Sequence, residues 1–232
     1  MKNFSTAVGR LFGEGAFMVL AQARELEARG KHIIHLEIGE PDFDTPQHIK
    51  DACIRAISSH EYTHYTPSVG IMKVRETVAR YIQRTRGVEV SPEEVVIGPG
   101  AKPIIFASII SLVDVGDEVI IPMPAYPAYE SVTRFVGGIP IPVPLQEEND
   151  FSLDLDDLRK KITPLTKLLI LNYPQNPTGG TLPYDNLKEI ASLAVEHNLW
   201  VLADEIYSRI IYDGEHYSLI TFPGMKERMV LV

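Results

Sequence analysis

From Glu94 onward the chain alternates short, continuously apolar segments with stretches of helical periodicity, and that rhythm leaves few folds open. The apolar pieces are VVIG (95–98), EVIIP (118–122), IPIPV (139–143), KLLILN (167–172), LWVLAD (199–204) and MVLV (229–232). Helical patterns run over 101–112, from Tyr126, and over 184–197. A strand that is apolar on both faces has to be covered on both, and the intervening helices are the available cover. The expected fold class is therefore α/β, a three-layer αβα arrangement around a mostly parallel sheet. The proline-alternating IPIPV suits a loop or an edge strand. MVLV ends on an apolar strand pattern with no turn or polar tail, which reads as a fold incomplete at its C-terminus.

The first 93 residues lack this rhythm. AFMVLAQARELEAR (16–29) reads as a helix ended by Gly30, and 32–38 alternates like a strand. Pro46 opens a helix around 49–58, and a further helix over 71–86 stops at Gly87. The balance of 22 Lys+Arg against 31 Asp+Glu gives a formal charge of −9, with no block of consecutive basic residues. That leaves no electrostatic footprint for nucleic acid or for an anionic membrane surface. No apolar run approaches the roughly 18 residues of a membrane span. The one cysteine, Cys53, cannot close an internal disulfide, and the first 20 residues carry no signal-peptide pattern, so a reducing, cytoplasmic setting is expected.

In such a sheet, ligands gather beyond the carboxyl ends of the strands. After VVIG, Gly100 permits close backbone approach and opens a helix whose first N–H groups suit a phosphate, with Pro103 at an early position that needs no donor. After EVIIP, Tyr126 stands at a loop edge, where it can cover a flat ring or simply pack. After KLLILN comes a polar loop in which Asn176 carries both donor and acceptor and is followed by a proline that admits a cis bond. After LWVLA, Asp204 is a carboxylate at the end of a buried strand, which needs a cation or hydrogen-bond donors; an internal arginine would serve. Each of these loops alone has an ordinary structural explanation.

Together they resemble the large domain of the fold-type-I pyridoxal-phosphate enzymes, specifically the class I/II aminotransferases related to aspartate aminotransferase. The likeness runs through IGEPDFDTP (38–46), YTPSVGI (65–71), GPGAK (98–102), PAYPAY (124–129), NYPQNPTGG (172–180) and ADEIY (203–207). The resemblance implies pyridoxal 5'-phosphate as cofactor and amino transfer from an amino acid to a 2-oxo acid. It gives Gly100, Ala101 and Lys102 the phosphate, Tyr126 the ring face, Asn176 and Tyr207 the phenolic oxygen, and Asp204 the pyridine nitrogen. Tyr65 would reach the phosphate of a partner subunit and Gly39 would lie near the substrate carboxylate, which implies a homodimer with sites at its interface. It divides the chain into an arm with part of a small domain (1–45) and an incomplete cofactor-binding large domain (46–232).

The same family carries a Schiff-base lysine shortly beyond the strand that follows ADEIY. The only lysine after Asp204 is Lys226, which precedes MVLV, so that lysine is expected beyond Val232 and this N-terminal portion is expected to be inactive by itself. Two other readings compete. A non-catalytic remnant would bind cofactor or a partner without turnover. His60-Glu61-Tyr62-Thr63-His64 matches the HExxH pattern of zinc metallopeptidases, although YTHYTP (62–67) is a poor helix and no third ligand is evident.

Overall fold

The computed structural model describes residues 4–232. Its strands are β1 (Glu118–Met123), β2 (Ile139–Pro144), β3 (Thr166–Asn172), β4 (Trp200–Asp204) and β5 (Met229–Leu231). They form one sheet in the order β2-β1-β3-β4-β5, and every neighbouring pair is parallel. The α-helices are α1 (Gly15–Ala28), α2 (Gln47–Ser58), α3 (Met72–Arg86), α4 (Ala101–Leu112), α5 (Pro127–Val136), α6 (Leu155–Lys161) and α7 (Tyr184–Glu196). None is long and apolar enough to cross a membrane.

Successive side chains of a strand point to opposite faces, and this alternation divides the core in two. Ile120, Leu169, Leu171 and Val201 pack with Leu158 of α6 and Leu187 and Ile190 of α7. Val119, Ile121, Leu168, Ile170 and Leu202 pack with Ile105 and Ile109 of α4 and Tyr129 and Val132 of α5. These are the expected three layers. β2 is an edge strand for a chemical reason: Pro140, Pro142 and Pro144 remove every second N–H, so one flank has no donors to offer.

Two expected strands are absent. Residues 95–98 are extended but lie outside the sheet. Ile97 N–H donates to Val69 O (3.0 Å) and Val95 O accepts from Arg75 Nε (2.9 Å), so this segment is tied to the Pro67–Gly70 turn and to α3 instead. Residues 32–38 alternate in sequence but meet no strand partner among the described residues; His35 is held by Glu27 (2.9 Å) and Glu37 (2.6 Å). Periodicity marks a segment as fit to be a strand, but a neighbouring edge decides whether it becomes one. Helix α6 escaped the sequence reading because it has only seven residues. Its signal was local: the Asp154 side chain accepts from Asp156 and Asp157 N–H, and Arg159, Lys160 and Lys161 sit in the last turn.

The tie between residues 69–70 and 95–98 makes one glycine indispensable. Gly70 has φ +98°, and a Cβ there would sit 2.7 Å from Ile97 Cβ. Gly70→Ala therefore meets both a disfavoured backbone region and a collision with a branched side chain. It is expected to lower unfolding free energy by about 2 kcal/mol, read from urea denaturation.

Candidate functional site

The strand order places the site. From β1 the chain moves outward to β2 and then returns past β1 to β3; α5 and α6 pack on opposite faces of the sheet along the way. The crevice between the carboxyl ends of β1 and β3 is thus a topological switch point, where ligands of such sheets bind. Tyr126 lies just beyond β1, Asn176 just beyond β3, and Asp204 is the last residue of β4.

Helix α4 starts at Ala101, after Gly100 at φ +94°, and no side chain caps it. The N–H groups of Ala101 and Lys102 have no acceptor within the helix, and Pro103 lacks one to satisfy. With the positive end of the helix dipole, these free donors suit an anion such as a phosphate. The Lys102 ammonium is engaged elsewhere: it pairs with Glu14 and stands 5.9 Å from the centre of the Tyr126 ring.

Asp204 is only 4% exposed and has no cationic partner among the described residues. Its Oδ2 accepts from Tyr129 Oη (2.6 Å) and its Oδ1 from Ile206 N–H (3.2 Å). Burial pushes its carboxyl above the usual aspartate range; the Tyr129 and Ile206 hydrogen bonds oppose that only in part. Burial, followed by the Asp204 charge, likewise raises the Tyr129 phenol, which stays a donor. The arginine anticipated for Asp204 goes one residue further along: Arg86 Nη2 reaches Glu205 Oε2 (2.9 Å), with His216 Nε2 on the same oxygen (2.9 Å) and Ser218 Oγ on Oε1 (2.5 Å).

Asn172 faces Asp204 in the β3–β4 register, donates from Nδ2 to Asp204 O (2.9 Å), and accepts the Asn176 N–H on Oδ1 (2.9 Å). The Asn176–Pro177 bond is cis, as are Tyr173–Pro174 and Met123–Pro124. The half-buried Asn176 side chain makes no hydrogen bond among the described residues, and Tyr207, three residues beyond the end of β4, is 36% exposed. Tyr126 meets Tyr129 edge to face, centroids 5.6 Å apart. Asp204, Tyr129, Tyr126, Lys102 and Gly100 thus form a connected set, joined to Asn176 through Asn172.

Tyr65 and Gly39 are not brought into this set. Tyr65 is fully exposed, and Gly39 lies in the exposed segment before α2. The HExxH stretch is not helical: α2 ends at Ser58 and His60 has φ +60°, so its two histidines do not share a helix face. Among the described residues no group of three or more His, Cys, Asp or Glu is placed to hold a metal ion. Sequence reasoning missed Tyr129 and Asn172. Both had a signal: Tyr129 stands in the first turn of the helix that Tyr126 precedes, and Asn172, like Asp204, is a polar end to a buried apolar strand.

The family model for aminotransferase class I and II matches residues 31–232. A probable aspartate/prephenate aminotransferase of Aquifex aeolicus is 40% identical over 222 residues, 95% of this chain and 56% of that protein. An aspartate aminotransferase of Pyrococcus abyssi is 42% identical over 210 residues, 90% of this chain and 54% of its own length. The solved structure of Thermus thermophilus aspartate aminotransferase with maleate superposes with a TM-score of 0.95 at 38% identity, covering 100% of this chain and 60% of that one. The chain belongs to the class I and II aminotransferases, a transaminase family that uses pyridoxal phosphate. It spans a little over half the length of the curated relatives it matches.

Proposed function

We propose that this chain forms the cofactor-binding part of a pyridoxal-phosphate aminotransferase that moves an amino group from an amino acid to a 2-oxo acid. The observation that carries the reading is Asp204: a buried carboxylate, held by two donors, without a cation. An ionised group in that position is costly until a positive partner arrives, and a protonated pyridine nitrogen is such a partner. Bound pyridoxal phosphate supplies an electron-accepting ring, and that capacity depends on the nitrogen staying positive.

In this reading Asp204 holds the proton on the ring nitrogen, and Tyr129 fixes the carboxylate's orientation. The Gly100 turn, with the N–H groups of Ala101 and Lys102, binds the phosphate, and Tyr126 covers the ring. Asn176 and Tyr207 donate to the phenolic oxygen, for which the uncommitted Asn176 amide is suited. Residues 46–232 are the cofactor domain and 1–45 an arm with part of a smaller domain. The full enzyme is a homodimer in which Tyr65 serves the partner's phosphate and Gly39 lies near the substrate carboxylate; the exposure of Tyr65 is consistent with this. An exposed, unpaired Cys53 fits a reducing, cytoplasmic setting.

Calorimetric titration with pyridoxamine 5'-phosphate tests the site without an aldehyde that would label surface lysines. Saturable binding of one molecule per chain, tighter than inorganic phosphate, is expected. A folded chain that shows no saturable binding would overturn the reading.

A further inference from the structure

Glu14 stands immediately before α1, at the end of a segment fastened along α5. Arg10 Nη2 donates to Phe135 O (2.8 Å), and Phe12 exchanges two hydrogen bonds with Ser131 Oγ, one through its N–H and one through its carbonyl (each 3.0 Å). These anchors bring the Glu14 carboxylate to the edge of the candidate site, where Oε1 accepts from Tyr126 Oη (2.7 Å) and pairs with Lys102 Nζ. Burial alone would raise the Glu14 carboxyl, but Lys102 and Tyr126 outweigh it and hold the group below its usual range; Lys102 is raised in turn, chiefly by Glu14. Both groups are therefore charged at neutral pH.

The pairing changes what the site offers. A free Lys102 ammonium beside the Tyr126 ring would attract a second carboxylate on a substrate. With Glu14 in place the pair is neutral overall. A substrate carboxylate directed at the Lys102 ammonium has to break that pair and then meets a fixed like charge, which disfavours it. The engagement of the ammonium also leaves Lys102 to serve a phosphate through its backbone N–H.

We infer that Glu14 is a specificity-determining residue: by neutralising Lys102 and setting a carboxylate at the Tyr126 edge, it favours amino acids with uncharged side chains over those with a second carboxylate. The inference rests on the proposed cofactor site, and the test separates the two. N-phosphopyridoxyl-L-alanine and N-phosphopyridoxyl-L-aspartate each carry cofactor and amino acid in one stable molecule, and their binding to the full chain needs no covalent attachment. Calorimetry is expected to show the alanine adduct bound about tenfold more tightly by the parent chain. Glu14→Gln is expected to shift the ratio of the two dissociation constants about tenfold toward the aspartate adduct. Lys102→Met leaves Glu14 unopposed and shifts the ratio the other way, so the inference stays testable if Glu14→Gln folds poorly. A parent chain that prefers the aspartate adduct, or variants that leave the ratio where it was, overturn the role of Glu14 alone. A folded chain that binds neither adduct overturns the cofactor site and this inference with it.

Discussion

Asp204→Asn is expected to make the ligand-free chain more stable at pH 7 and to weaken pyridoxamine 5'-phosphate binding at least about 100-fold. The two effects have one origin. Burial raises the Asp204 carboxyl above its ordinary value of 3.8, so the native state binds the proton more tightly than the unfolded chain does. Stability therefore falls as pH rises from that ordinary value through the raised native one, and stays reduced at neutral pH. Asparagine carries no charge to desolvate and can still accept from Tyr129, giving up only the longer contact with Ile206 N–H. The stabilisation should be greatest at neutral pH and should shrink as pH falls toward the ordinary aspartate range, read as melting temperature across a pH series. The affinity loss reflects a missing charged partner for the ring nitrogen, about 3 kcal/mol for a buried charge-assisted contact. A variant that melts below the parent at pH 7 would show that Asp204 is not an uncompensated charge.

The neighbouring carboxylate should behave in the opposite way. Glu205→Ala is expected to cost about 3–5 kcal/mol, because it strands the Arg86 guanidinium, whose side chain is only 9% exposed, and removes the shared acceptor of His216 and Ser218. Glu205 ties the end of β4 to the last turn of α3 and to the 216–218 loop, so its loss loosens three segments at once. Burial would raise its carboxyl, but His216, Ser218 and Arg86 together bring it below the usual glutamate range. Its contribution is thus complete above the ordinary value and is lost as pH falls through the lowered native one. Guanidinium denaturation at pH 7 measures the cost, and a value under about 1 kcal/mol would mean that the cluster is effectively solvated.

The contrast between Asp204 and Glu205 also shows what a sequence can reveal. The buried strand LWVLAD announces a carboxylate in need of a partner, and the αβα layering follows from apolar runs that alternate with helices. The distribution of partners is a three-dimensional outcome: Arg86 is 119 residues from Glu205, and no spacing rule tells which of two adjacent acids it will serve. The same limit explains Glu14, whose place beside Lys102 and Tyr126 depends on anchors to Ser131 and Phe135 that no periodicity encodes. VVIG and residues 32–38 erred in the other direction, because strand propensity is local while sheet membership requires a free neighbouring edge. The motif loops were legible because their function constrains residue type, order and position together.

The three prolines of β2 have an effect beyond the strand that holds them. They strip one flank of the sheet of main-chain donors and leave it only carbonyl acceptors, while β5, with Met229, Val230 and Leu231, carries no such block. Any additional strand, whether from the same polypeptide or from a stranger, can form a full two-way ladder on only one side, so the sheet is a surface with one favoured direction of growth.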